Sequence, residues 1–324
     1  MEKLQLKGAG NMQKDKMIFA IPAYVEKTLT ALEAAGHQAY CVGGCVRDSL
    51  LGQEPGDWDV TTSALPEETM AVFGEKAVPT GLKHGTVTVC WPEGKVETTT
   101  FRRDGAYVDH RHPEQVTFTD SLTEDLARRD FTVNAVALDL RGTLYDPFGG
   151  QTDLRKGILR CVGDPERRFS EDALRILRCL RFASRLGFAI DPETAAALVV
   201  CRELLREIAP ERIHEELTKL LCGPHAAEVL RAYPEVVGVV LPEILPMVGF
   251  DQRNPHHCYD VGAYPPRPGC HCRGAGFTVD HAVSRYGEAG VLCSGPSWRG
   301  PLHGPRGGVP PDRRWGDGPA AVRQ

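Results

Sequence analysis

A glycine pair set between an apolar run and a helical one constrains this chain more than any other feature. Ala39 to Val42 reads as a short strand, Gly43-Gly44 as a turn, and Val46 to Leu51 as one or two helical turns stopped by Gly52. Glycines in such a turn let the backbone approach a phosphate, and the N–H groups that open a helix attract anions. Arg47 adds a fixed positive charge suited to a triphosphate. Shortly downstream, Asp57-Trp58-Asp59-Val60 alternates with the period of a strand, which places both aspartates on one face and Trp58 and Val60 on the other. Carboxylates at i and i+2 stand about 7 Å apart at Cα. That spacing suits a shared divalent cation, and hard oxygen donors favour Mg2+. By itself the aspartate pair is a common surface-strand pattern; the glycine turn before it makes it specific.

The rest of the first half continues in mixed α/β style. Ile21 to Ala35 carries apolar residues near the helical period, and Thr86 to Trp91 and Lys95 to Phe101 are β-rich runs joined through Pro92-Glu93-Gly94, a hairpin signal. Phe131 to Leu140 reads as helix then strand, and Asp146 to Gly150 as a closing turn. Beyond Gly150 the β signal fades. Ser170 to Leu186, Pro192 to Ile208 and Pro210 to Leu221 read as three helices punctuated by glycine and proline. The expected fold is therefore α+β: a head with a mixed or antiparallel sheet, then an all-helical neck and body.

The net charge of −5 does not advertise a nucleic-acid binder, but its distribution is uneven. Arg155 to Arg185 holds nine Lys/Arg against four Asp/Glu. Such a segment can track phosphates or form a solvated helix face. Within it Asp172, Arg175, Arg178, Arg181 and Arg185 recur at steps of three and four, which puts them on one helical stripe. An aspartate accepts and an arginine donates, so Asp172 and Arg175 can meet the hydrogen-bonding edge of a base or form a surface ion pair.

No apolar run approaches the roughly 20 residues of a membrane span. Residues 1–16 read as a polar, disordered leader without a secretory core, so a cytoplasmic location is expected. The eleven cysteines are odd in number and scattered, and Cys270-His271-Cys272 lacks a second pair at zinc-finger spacing. Past Asp260 the chain becomes crowded with Gly, Pro and Arg and loses all periodicity, which reads as an irregular, disordered tail.

Taken in order, these segments resemble the class II tRNA nucleotidyltransferase and bacterial poly(A) polymerase family. The likeness rests on Gly43-Gly44-x-Val46-Arg47-Asp48 with Asp57-x-Asp59, on His84-Gly85-Thr86, and on Glu97 to Arg102. It continues through Arg128-Arg129-Asp130-Phe131-Thr132-Val133-Asn134-Ala135, Glu171-Asp172-Ala173-Leu174-Arg175 and Glu211-Arg212-Ile213, covering about residues 20–260. The resemblance implies a polymerase-beta-like head over 17–150, a neck with the nucleotide-selecting helix and RNA-binding region over 151–222, and the start of a truncated HD-like body over 223–261. It implies addition of CCA to tRNA 3′ ends from CTP and ATP without a template, releasing pyrophosphate. Relatives with a narrower product, such as poly(A), CC- or A-adding enzymes, share every motif, and a catalytically impaired RNA-binding remnant is a different class of reading. No membrane and no obligatory protein partner is implied.

Residue by residue, the resemblance assigns Asp57 and Asp59 to catalytic Mg2+. Glu97 becomes a third catalytic carboxylate, its plain alternative being a solvated strand position. Gly44, Arg47 and Arg129 would hold the triphosphate, with Arg128 a salt bridge or tRNA contact. Asn134 would help distinguish the ribose or else cap a helix. Asp172 and Arg175 would select the base, with Arg178 and Arg181 on nucleotide or phosphate. His84 lies in a turn entering a strand and is left structural. Asn254 to Val261 looks like the opening of the family's HD-type domain, and the likeness stops at Gly262. Reading one base later, 277–289 can encode Leu-Arg-Trp-Thr-Met-Leu-Phe-His-Asp-Met-Gly-Lys-Pro, so residues 262–324 read as a frameshifted tail, and His256 and His257 receive no ligand role.

Overall fold

In the computed structural model, residues 19–105 and 116–248 are described. The expectations for the leader, for His256 and His257 and for the tail from 262 lie outside them, as does the end of the expected HD-like segment. Strands are β1 (Ala39–Val42), β2 (Asp59–Thr62), β3 (Ala77–Gly81), β4 (Thr86–Trp91), β5 (Gly94–Thr100), β6 (Arg102–Asp104), β7 (Val116–Phe118), β8 (Ala137–Leu138), β9 (Leu144–Tyr145), β10 (Ile158–Leu159) and β11 (Ala189–Ile190). Helices are α1 (Ala23–Ala34), α2 (Gly44–Leu50), α3 (Pro66–Phe73), α4 (Leu122–Ala127), α5 (Gly150–Lys156), α6 (Pro165–Glu171), α7 (Leu174–Leu186), α8 (Pro192–Cys201), α9 (Pro210–Leu221), α10 (Ala226–Ala232) and α11 (Pro234–Val240). None of these helices is long and apolar enough to cross a membrane.

The head is a mixed seven-stranded sheet in the order β3-β4-β5-β2-β1-β8-β9. All its pairings are antiparallel except β2 with β5, which run parallel. The register decides what each face carries. Val42, Asp59, Glu97 and Thr88 lie on one rung, and Tyr40, Thr61, Thr99 and Thr86 on the next rung of the same face. The opposite face carries Cys41, Val60, Thr98 and Val87, all essentially inaccessible. That apolar face packs against Val25, Leu29 and Leu32 of α1 and Phe73 of α3, whose spacing supplies the helical stripe. On the polar face, Leu126 of α4, Ala135 and Val162 cover Val42 and Ala137. Glu97 remains exposed.

The helices after the head begin where local chemistry dictates. Asp164 and Asp191 accept N–H groups at the starts of α6 and α8, each with proline in the first turn. The packing of α7 on α9 anchors a large core that runs from Phe131 and Val133 to Ile244. Two expectations need correction. The neck is not all-helical, because β10 and β11 form a short parallel pair. The single helix expected over Ser170 to Leu186 is two, since Asp172 adopts extended backbone (φ −137°, ψ 101°) between α6 and α7.

Candidate active site

The site begins at Gly43. Its φ of +81° and ψ of −132° belong to a region that side-chain-bearing residues avoid. A Cβ there would stand 3.3 Å from Arg129 Nη1 and 3.9 Å from Asp59 Oδ2, so the turn, the guanidinium and the carboxylate meet at one point. Asp59 opens β2 and is directly paired with Glu97 of β5. Asp57 lies just before the strand rather than in it, exposed, with Trp58 turned into the core as the alternation requires. Burial pushes the Asp59 carboxyl up to about 6; the charges of Glu97 and Asp57 add to the rise and Arg129 opposes it. The three carboxylates therefore share a field with a net negative excess. Among the described residues no three acidic, His or Cys side chains converge into a closed ligand set.

Arg129 is held from behind by Asp125. Its Nη2 lies 3.3 Å from Asp125 Oδ2, and Arg128 brings Nε and Nη2 to 2.9 and 2.8 Å from Oδ1. Arg128 makes the salt bridge that is one of its two expected roles. Asp125 is fully buried, and the two guanidiniums beside it hold its carboxyl below the usual range against the cost of burial.

A second polar cluster joins head and neck. Asp130 accepts from Arg178 Nε and Nη2 at 3.0 and 2.6 Å, from Asn134 Nδ2 at 3.1 Å and from the Phe131 N–H at 2.8 Å. Its carboxyl is held down at about 2, burial opposing Arg178 and the hydrogen bonds. Arg181 Nε lies 2.9 Å from Glu216 Oε2, and the guanidinium stacks 4.2 Å from the Phe182 ring centre. The arginine stripe exists, but it faces protein carboxylates.

The other residues expected to meet ligand hold protein partners in this structure. Arg47 is 4% exposed; it pairs with Asp48 at 2.7 Å and donates to Asn134 Oδ1 at 2.8 Å, so its charge is held inside by protein partners. Its Nη2 still lies 3.7 Å from where a Gly44 Cβ would stand, placing its charge directly behind the turn. Asn134 uses both ends of its amide, accepting from Arg47 and donating to Asp130. Arg175 donates to Glu171 Oε2 at 3.0 Å and to the carbonyls of Arg168 and Arg128 at 3.1 Å each. Asp172 accepts the Leu174 N–H at 3.2 Å and faces Arg212 at 3.6 Å. In this arrangement the two side chains are paired with protein groups and not with each other. His84 accepts from Arg102 through its carbonyl, in keeping with a structural turn.

The residues missed were Asp125 and Asp130. Asp130 lay inside the Arg128-to-Ala135 segment already singled out, and its carboxylate beside two arginines was a signal available in the sequence. Asp125 had only its position three and four residues before them.

Residues 39–160 match the family described as the poly A polymerase head domain, and residues 187–236 match a probable RNA and SrmB binding site of polymerase A. The CCA-adding enzyme of Geobacillus thermodenitrificans is 53% identical over 199 residues, covering 61% of this chain and 49% of that protein. That of Lactobacillus helveticus is 48% identical over 219 residues, covering 68% and 53%. The chain belongs to the poly(A) polymerase family. Its fold agrees with that of a family member, the Bacillus stearothermophilus CCA-adding enzyme solved in complex with CTP, at a TM-score of 0.61 and 48% identity over 65% of this chain and 51% of that one. The Thermotoga maritima CCA-adding enzyme complexed with tRNA gives 0.58 at 25% identity, covering 71% and 55%. The chain spans about half the length of the curated family relatives it matches.

Proposed function

We propose that the protein is a tRNA nucleotidyltransferase that adds CCA to tRNA 3′ ends from CTP and ATP, releasing pyrophosphate. The observation that carries this is the meeting of Asp59, Arg129 and Gly43 at one point, beside Glu97 and Asp57, in a chain about half identical to CCA-adding enzymes over 199 residues. The excess negative charge around Asp59 and its all-oxygen donors fit a divalent cation, and we assign Mg2+ to Asp57 and Asp59. When bound, the cation supplies charge neutralisation and activates the attacking hydroxyl.

The protein's own residues do the rest by positioning. Gly43-Gly44 leaves room for phosphate close to the backbone, and Arg129 offers donors beside it, with the buried Arg47 adding field from behind. Glu97 keeps the carboxylate field strong at Asp59. Base selection by Asp172 and Arg175, with Arg178 and Arg181 near the nucleotide, requires those side chains to exchange their present protein partners for ligand. We retain 17–150 as the catalytic head and 151–222 as the neck, and a cytoplasmic site of action goes with this reading.

Poly(A) addition is the second reading, because the head-domain family is named for it. Purified protein is incubated with tRNA lacking its 3′ end and with labelled CTP or ATP, separately and together. Ordered C, C, A addition is expected. An A-only product sinks the CCA reading, and no incorporation at any nucleotide points to the RNA-binding remnant.

A further inference from the structure

Asp125 is not among the residues assigned a role above, yet four residues converge on its carboxylate. One oxygen takes Arg128 and, at 3.4 Å, the backbone N–H of Arg102; the other takes Arg129 at 3.3 Å and the Thr61 hydroxyl at 3.1 Å. Thr61 stands two residues after Asp59 on the same face of β2, and its hydroxyl also lies 3.2 Å from the Thr99 carbonyl of β5, two residues after Glu97. Asp125 is thus tied to both strands that carry the acidic site and to the arginine lying over it.

Tying α4 to the sheet does not by itself call for a charge at zero exposure, since a neutral hydrogen-bonding residue would do so at lower desolvation cost. What the charge adds is orientation of Arg129. That guanidinium makes one ion pair to Asp125, its Nε is buried with no hydrogen-bond partner among the described residues, and its Nη1 faces the space over Gly43. Asp125 thus supplies the ion pair that anchors the guanidinium from behind while Nη1 lies over Gly43.

We propose that Asp125 is the positioning residue of the nucleotide site, fixing Arg129 at the distance from Asp59 and Gly43 that a triphosphate requires. This rests on the nucleotidyltransferase reading of the site. The test is CTP affinity in the full-length chain, measured by titration calorimetry with Mg2+ present, together with KM and kcat for transfer and a thermal melt. Asp125→Asn is expected to weaken CTP binding and raise KM by tenfold or more, with a smaller change in kcat. In an Arg129→Ala background the same substitution should change affinity less than twofold, because the group it orients is gone. Thr61→Val, which leaves the charge, should cost a few-fold and lose that effect in the same background; it also serves if Asp125→Asn fails to fold. Equal losses with and without the Arg129 side chain, or affinity within twofold of wild type, would overturn the proposal. Wild type that binds CTP but transfers none sinks the function above while the coupling stays measurable; wild type that binds no nucleotide overturns both.

Discussion

Asp59 in the head and Asp130 at the junction with the neck are both withdrawn from water, yet burial leaves them in opposite states. Asp59 has two carboxylates for neighbours and one arginine, and its carboxyl rises to about 6. Asp130 has a two-pronged contact from Arg178 and an amide from Asn134, and its carboxyl falls to about 2. The folded chain satisfies one aspartate completely and leaves the other in debt for positive charge. In a protein that orders so many arginines nearby, an aspartate left short marks the place where a cation from outside is expected. The neck cluster is a joint; we propose the head cluster as a receptor.

The largest effect tests the receptor half. Asp57→Ala and Asp59→Ala should each lower nucleotide incorporation by about a thousandfold or more, about 4 kcal/mol of barrier. Melting temperatures should stay near or above wild type. If either variant loses activity only in proportion to lost folded protein, the contrast with Asp130 collapses.

Stability tests the contrast directly. Asp130→Asn leaves Arg178 facing a neutral partner and should destabilise the fold by roughly 2–4 kcal/mol, under the value for a fully buried pair because a third of the Arg178 side chain is exposed. Asp59→Asn should act in the other direction. An aspartate whose folded value is raised stabilises fully below its unfolded value of 3.8 and loses that contribution as pH rises through about 6. At pH 7.5 without divalent metal, removing the charge should therefore raise stability, by an amount on the order of 1–3 kcal/mol. Asp130 follows the reverse rule, its contribution being present above the unfolded value and lost as pH falls through about 2. Urea unfolding of the two variants at pH 7.5 in chelator reads both signs; equal signs would remove the distinction.

The asymmetry between the clusters also explains what the sequence could disclose. Gly43-Gly44 and the hairpin through Pro92-Glu93 are local signals that landed where the sequence put them, and the alternation around Asp59 found its strand but started it two residues early, at Asp57. The parallel pairing of β2 with β5, which sets Asp59 beside Glu97, spans 38 residues of chain and has no local mark. The arginine stripe was legible as a stripe, but its partners were not: Arg178 meets Asp130 across 48 positions, and Arg47 meets Asn134 across 87. Helical steps of three and four likewise concealed the break at Asp172, whose carboxylate accepts the Leu174 N–H and so competes with continuing the helix. Asp125 was hidden because its significance lies in Thr61 and the strand edges, not in its own neighbours alone.

The smallest expected effect bears on Glu97, and it separates a carboxylate that belongs to the receptor from one that merely sits on an exposed strand. Its charge is the second-largest contributor to the rise at Asp59, after burial. Glu97→Gln keeps the side chain's size and removes that repulsion, so the Asp59 carboxyl should ionise at lower pH. Metal-free protein should then carry less of the penalty that accrues as pH rises toward 6. Chemical-shift titration of labelled Asp59 in wild type and variant measures the change, with a downward move of several tenths of a pH unit expected. The acidic limb of the transfer rate should move the same way, whatever happens to its plateau. An unmoved midpoint would return Glu97 to its plain reading as a solvated strand residue and leave Asp57 as the carboxylate that, with burial, holds Asp59 in its unsatisfied state.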